Sequence, residues 1–458
     1  MKLSDAAKTE SNAPVQCLSK RVMAPGTGDE AESGVKPGNS FLIITFLHDE
    51  SYLLPSQYSE ACRPWVIQDA NRLNGGCVCS TNAGMSTHVT HLNPAFCRDR
   101  QQRLCRRLAE LSIDCAVFIS HANVQYLTGF RPHRLLHAIV ALDADGTCTL
   151  IAPNSEPDDV AADRIVTFEA QWHATLRQEQ LEAGARLLAD TVGRKPTRMG
   201  VEFSEGTGHI VHAFGGGDVS GDKLLDLDPI LWHQRRHKDP DELAMIRRAV
   251  DCTAAMYDRA REIIRPGITE LKVFSELHAA AVEVAGEPLI ALGNDYQCNS
   301  PGGPPRKRAA QDGELFILDL GPCCRGYYAD NCRTIAVSRQ PTDVQHKAWE
   351  AIVEVLAMVE RSVRPGASCR DLYDQAKGML DEHIPNAFPH HLGHGFGLYP
   401  HTAPHLNPHW DDTFEEGDTF TAEPGLYAEN LKAGIRLEQN YVVTSDGVER
   451  LTEFSLEM

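Results

Sequence analysis

The sequence predicts an α+β protein whose C-terminal half is an internally repeated domain, preceded by a small α/β domain. Three observations carry this. A helical stretch, an Arg-Pro-Gly triplet and a second helical stretch occur twice, with the triplets at Arg265-Pro266-Gly267 and Arg364-Pro365-Gly366. A chemical pattern also occurs twice: Gly313-Glu314 opens a β-prone run to Asp319, and Gly417-Asp418 opens one to Glu423, each carboxylate six residues past its glycine. The triplets lie 99 residues apart and the carboxylates 104. Such near-equal offsets imply a duplicated unit with pseudo-twofold symmetry. Two halves, each laying helices over a curved antiparallel sheet, would bring both carboxylate-bearing hairpins to a shared centre.

Residues 1–95 are polar and Gly/Ser-rich to Ser40, then irregular, which predicts a poorly ordered leader. Cys77-Val78-Cys79 with His88 and His91 offers zinc-type donors, but C-x-C and H-x-x-H are not the usual structural-zinc spacings, and no site is assigned there. Residues 96–232 read as the small α/β domain. Leu104, Leu108 and Leu111 mark an amphipathic helix over 99–111, followed by a buried strand over 113–119. Strands over 135–142 and 147–152 flank the turn Asp143-Ala144-Asp145-Gly146, and a helix over 178–191 precedes a strand over 199–202. Without a nucleophile, phosphate loop or ligand cluster, this domain reads as a structural or oligomerisation unit that lends a wall to the active site.

Residues 233–458 form the repeated domain. Asp239 is a natural N-cap and Pro240 suits the first helical position, so a helix is expected from there to about 264. Thr269-Glu270 opens a second helix to about 284; in the other half helices are expected from 343 to the second triplet and from Ser368 to about 382.

Composition narrows the function. A hydrophobic fraction of 42% and a charged fraction of 23% suit a globular protein. A net charge of -19 argues against nucleic acid or an anionic membrane as partner. The apolar run 41–47 is far too short to span a bilayer, and no secretory signal is expected at Met1. The 14 cysteines are scattered, with Cys323, Cys324 and Cys332 on the first hairpin, and read as buried thiols in a reducing, cytoplasmic compartment.

The chemistry lies between Gly313 and Asn440. Asp319 is followed by Asp330 and Glu423 by Glu438, the pattern of two hairpins with a carboxylate on each strand. An ionised Asp within Ile317-Leu318-Asp319-Leu320 costs several kcal/mol unless a cation meets it. His394 sits between Gly393 and Gly395, with Gly397 beyond, so its segment is extended or looped rather than helical. His390 and His401 share this context, whereas His383, His405 and His409 read as surface or packing residues. Asp, Asp, His, Glu, Glu is a mostly hard-oxygen donor set for a pair of divalent ions, favouring manganese, with iron, cobalt or zinc as alternatives. Such a pair supplies hydroxide near neutral pH and polarises a carbonyl, as C–N hydrolysis requires.

These residues make the chain resemble the pita-bread metallopeptidases: Xaa-Pro aminopeptidase, prolidase, methionine aminopeptidase and their relative creatinase. The resemblance covers about residues 98–458 and includes a creatinase/prolidase-type N-terminal domain, through Asn123-Val124-Gln125-Tyr126-Leu127-Thr128-Gly129-Phe130. It implies that Asp319, Asp330, His394, Glu423 and Glu438 are metal ligands, Asp330 and Glu438 bridging, with Glu423 also carrying a proton. It implies that Arg436, in Gly434-Ile435-Arg436-Leu437-Glu438, supports the ligands, and that His390 and His401 are catalytic residues contacting substrate. The implied function is hydrolysis of the bond N-terminal to proline in small peptides, by a cytoplasmic homodimer. Two departures stand out. The region Asn299 to Arg308 has no histidine where the family's peptidases usually carry one, and Gln439 stands where an Asp is frequent. The first leaves room for a small non-peptide substrate, as in creatinase- or ectoine-hydrolase-like amidohydrolases or a sulfonium lyase. The basic patch Arg306 to Arg308 reads equally as a carboxylate holder or a solvated loop. A metal-free binding module is the remaining alternative, against which the intact ligand set argues.

Overall fold

A computed structural model describes residues 91–215 and 221–458. The expected leader up to residue 90, with Cys77, Cys79 and His88, lies outside the described residues.

The first helix, Pro94–Glu110, begins five residues before the expected start, because Asn93 accepts a hydrogen bond from the Ala95 N–H and Pro94 fits the first turn. Apolar periodicity does not register such a cap. The sheet beside it has six strands in the order Arg164–Phe168, Cys148–Pro153, Ile139–Asp143, Cys115–Phe118, Met199–Val201, Leu224–Asp226. The third of these starts later than expected, since Gln180 takes the backbone of Leu135 and His137 for its own side chain. Helix Gln180–Val192 covers one face of the sheet through Ala185 and Leu188. On the other face, Leu104, Leu108, Val140 and Leu150 join a core that continues through Met245, Met256, Leu277, Phe316 and Leu318. Arg100, fully buried, pairs with Asp241 and Asp239, tying the first helix to the start of helix Pro240–Ile263.

The repeat is visible in backbone detail. Helices Pro240–Ile263 and Glu270–Ala285 form one pair, and Asp343–Ser362 and Cys369–His383 the other. Thr269 and Ser368, the caps following the two triplets, each make an isolated antiparallel bridge, to Ala309 and Thr413. The triplet glycines have φ of 90° and 86°, and their N–H groups donate to the Ala310 and Phe414 carbonyls. Under the first pair lies a three-stranded sheet, with Leu315–Leu320 between Asn331–Ala336 and Asp295–Cys298. The other half has five strands in the order Thr402–Leu406, Gly393–Gly395, Thr419–Ala422, Gln439–Val443, Val448–Arg450, over a core of Ile352, Val355, Val359, Leu380, Phe420 and Tyr441.

The two hairpins differ in one respect. In the second, register places Glu423 and Glu438 opposite each other just past the pair Ala422–Gln439. In the first, Asp319 faces Cys332, so Asp330 lies diagonal to it. The eleven-residue interval holds a small hairpin of its own, Cys323–Cys324 paired with Tyr327–Tyr328, which shifts the register. No described helix is long and apolar enough to cross a membrane.

Candidate metal centre

The centre forms where the two sheets meet, and backbone bonds hold it closed. The Glu438 N–H donates to the Cys332 carbonyl at 2.9 Å, and Asn331 Nδ2 donates to the Glu438 carbonyl at 2.6 Å. Arg333 adds a bond to the same carbonyl and a 2.9 Å bond from Nη2 to Gln439 Oε1. That oxygen also accepts from Thr452 Oγ1 at 2.5 Å, so an amide at position 439 serves as an acceptor in the supporting layer.

Donor atoms of Asp319, Asp330 and Glu438 lie within 4.8 Å of one another, as do those of His394, Glu423 and Glu438, and those of Asp330, His394 and His401. His394 Nδ1 lies 3.1 Å from the Gly395 carbonyl, which assigns the proton to that nitrogen and points the Nε2 lone pair into the cluster, 3.6 Å from both Asp330 Oδ2 and Glu423 Oε1. Burial beside His401 and His391 holds this imidazole well below the usual histidine range, hence neutral and able to ligate. A Cβ on Gly393 would lie 2.0 Å from the Thr421 carbonyl oxygen, and one on Gly395 2.0 Å from that of Ala403. Only glycines let the strand bearing His394 pack this closely.

The carboxylates are under electrostatic stress. Burial and mutual repulsion push Asp330 and Glu438 well above the usual range, and burial pushes Glu423 up to about 8. Burial raises Asp319 too, partly countered by Arg436. Arg436 Nη2 donates to Asp319 Oδ2 at 2.7 Å and is also bonded to Asp295. Glu438 Oε2 is buried with no hydrogen-bond partner. A buried oxygen left open in a cluster of carboxylates fits a bound divalent cation, the ligand whose charge offsets their desolvation.

The structure thus brings Asp319, Asp330, His394, Glu423, Glu438 and Arg436 to one place. His401, exposed, stacks on His394 with ring centroids 3.6 Å apart. His390 stands further back: Nδ1 lies 2.8 Å from the His391 carbonyl, and Nε2 2.9 Å from Tyr427 Oη, which accepts from Arg436 Nη1 at 3.0 Å. Both its nitrogens are occupied, and its side chain is bonded to Tyr427 and the His391 carbonyl rather than to the clustered carboxylates. Three residues escaped the sequence reading. Asp295 and Tyr427 flank Arg436 with no motif to mark them, and His391 has only its place in the chain beside His390 to suggest it. His391 Nδ1 is buried without a hydrogen-bond partner, 3.4 Å from Glu423 Oε1. The Arg306 to Arg308 patch is structural: Arg306 pairs with buried Glu270 and Arg308 with Glu314. His405 pairs with Asp412 and stacks on Trp410, outside the centre.

The chain is similar to known proteins over both of its described parts. Residues 244–445 match the model of metallopeptidase family M24, and residues 100–237 that of the creatinase/prolidase N-terminal domain. An uncharacterised peptidase of Staphylococcus aureus strain USA300 is 26% identical over 351 residues, covering 74% of this chain and 95% of the relative. A prolidase from Pyrococcus horikoshii OT3 superposes with a TM-score of 0.66 at 22% identity, covering 78% of this chain and 99% of its own. A Xaa-Pro dipeptidase from Bacillus anthracis gives 0.66 at 22%, covering 79% and 99%. At these identities the superpositions speak to the fold: a pita-bread domain behind a creatinase-type N-terminal domain.

Proposed function

The chain belongs to metallopeptidase family M24, a peptidase family that works with divalent metal ions, and from that premise we propose that it hydrolyses the bond preceding proline in short peptides. In this reading two ions are held by Asp319, Asp330, His394, Glu423 and Glu438. The observation that carries the pair of ions is charge: Arg436, shared by Asp295 and Asp319, offsets one of the five negative charges of Asp295, Asp319, Asp330, Glu423 and Glu438, and one oxygen of Glu438 stays open. Four negative charges call for two divalent cations, and the oxygen-rich set favours manganese.

When bound, such ions lower the pKa of water and polarise a carbonyl. The rest falls to the chain's own groups. Glu423 offers Oε1 toward His391 and His394 as the acceptor that takes a proton and returns it to the leaving amine. His401, open to solvent above His394, is placed to donate to an oxygen gaining charge. The chain Arg436–Tyr427–His390 orients Asp319 and ends on the His391 carbonyl, while burial and the charge of Arg436 lower the His390 pKa to about 3 and keep it neutral. Ten described cysteines, all free thiols and nine of them buried, agree with the proposed cytoplasmic setting.

One observation favours a second reading with a small non-peptide substrate. Gly302 and Gly303 lie against Asp295 and Gln297, so the loop presents no side chain at those positions. Metal analysis before and after dialysis against chelator, with Ala-Pro hydrolysis followed on the same samples, decides. Two ions per chain with chelator-sensitive cleavage is the expected result. Two ions with no peptide cleavage turns the reading to small amides, and no bound metal refutes both.

A further inference from the structure

Arg333 lies behind the carboxylate cluster, fully buried, and its guanidinium meets neutral acceptors only. Nη1 donates to Asn331 Oδ1 and the Cys332 carbonyl, both at 2.9 Å, and to the Glu438 carbonyl. Nη2 donates to Gln439 Oε1 at 2.9 Å and the Phe454 carbonyl at 3.2 Å, and Nε to the Ser455 carbonyl at 2.9 Å. The ring centres of Phe454 and Tyr257 stand 4.7 and 5.6 Å from its Cζ. Among the described residues, no carboxylate pairs with it.

That pattern sets it apart. Arg100, Arg236 and Arg436 are buried too, and each meets an aspartate: Asp241, Asp418 and Asp319 in turn. A buried charge costs several kcal/mol and is ordinarily paired. Around Arg333, carbonyl dipoles and aromatic faces stabilise the charge without cancelling it. Chain order links this charge to the centre. Asn331 follows Asp330, and Gln439 follows Glu438. Successive side chains of a strand point to opposite faces. The carboxylates therefore take one face and the two amides the other, where Arg333 bonds both. The guanidinium also holds the main-chain carbonyl of Glu438 itself. Charges this close and away from solvent are weakly screened.

Each of these amides has an acid of the same shape, and an acid at either place would pair with Arg333 and cancel it. Neutral residues stand at both. We propose that Arg333 acts through space as a second fixed positive charge on the metal centre, left uncancelled by the amides of Asn331 and Gln439, and that it sets the free-cation concentration at which the centre fills. A positive charge there loosens the hold on divalent cations, and an acid in place of either amide tightens it. This deepens the metal-centre part of the proposed function and rests on it, whatever the substrate.

The test titrates manganese by calorimetry into the chelator-treated full chain, as wild type, Gln439→Glu, Asn331→Asp and Gln439→Met. Gln439→Glu and Asn331→Asp are each expected to lower the manganese dissociation constant about tenfold, because each adds one negative charge against Arg333. Gln439→Met removes the acceptor without adding charge and is expected to bind no more tightly than the wild type. A purely structural role for these residues predicts the opposite sign, since every substitution would then disturb the strands and weaken binding. The two acids reach Arg333 from different strands, so either one decides if the other fails to fold. Acid variants that bind manganese as the wild type does, or more weakly, overturn the inference and leave the metal centre standing, as does a Gln439→Met that binds as tightly as the acids. A wild type that takes up no manganese overturns the metal-centre reading, and the inference with it.

Discussion

Replacing Arg436 by Met tests the electrostatic account of the centre, because the effect should depend on metal. The Asp295 and Asp319 side chains that share Arg436 Nη2 are 17% and 15% exposed, and the guanidinium 9%. Removing one partner of a buried ion pair costs about 3–5 kcal/mol, since the other charge stays behind. For a chain of this length, at roughly 1 °C per kcal/mol, this lowers the unfolding midpoint of the chelated protein by about 3–5 °C. With metal bound, the ion offsets the charge of Asp319 and only Asp295 is left unpaired, so the expected loss falls to about half. Arg436→Lys keeps the charge but cannot reach Asp319, Asp295 and Tyr427 together, and should lie between. Differential scanning calorimetry of the three proteins, with chelator and with manganese, gives the comparison. Equal shifts with and without metal, or no shift at all, would refute the idea that Arg436 is the centre's internal counter-charge.

Gly393→Ala should abolish metal retention in elemental analysis, because its Cβ meets the Thr421 carbonyl and must push the His394 strand off its neighbour; a variant that holds metal normally would contradict that close approach. His391→Leu should lower kcat by about tenfold through loss of a donor facing Glu423, with His391→Asn recovering most of it; steady-state kinetics in which the two variants behave alike would remove that role. Lys238 offers a pH test, since burial lowers its pKa to about 8 from 10.5. Above pH 8 the folded state sheds this proton before the unfolded state does, so wild-type stability should rise relative to Lys238→Met between about pH 8 and 10.5. Parallel urea-melt profiles for the two proteins would show instead that Glu242 compensates the charge.

Much of this protein was legible in the order of its residues. Local signals were strongest where one residue type answers a local backbone demand. Thr269 and Ser368 cap helices after matching triplets, Asp239 and Pro240 open the long helix, and turn glycines precede the strands that end at the centre. The clustering of the four carboxylates with His394 was readable because acids on paired strands repeat at a near-constant offset, and the glycines around His394 announced a close approach. The register of the first hairpin was not readable, because the strand count inside an eleven-residue interval depends on which backbone groups find each other.

What the sequence alone determined is the inventory: two helix–sheet units, the carboxylates and imidazole that can face each other, and a surplus of buried negative charge. What only the tertiary structure decided is who stands beside them. Asp295 reaches Arg436 across 141 residues, Arg236 reaches Asp418 across 182, and Gln125 reaches the Arg325 carbonyl across 200. Such contacts are set by the packing of sheet on sheet and domain on domain, and no local propensity records them, because the energy that selects them appears only when distant surfaces leave water together.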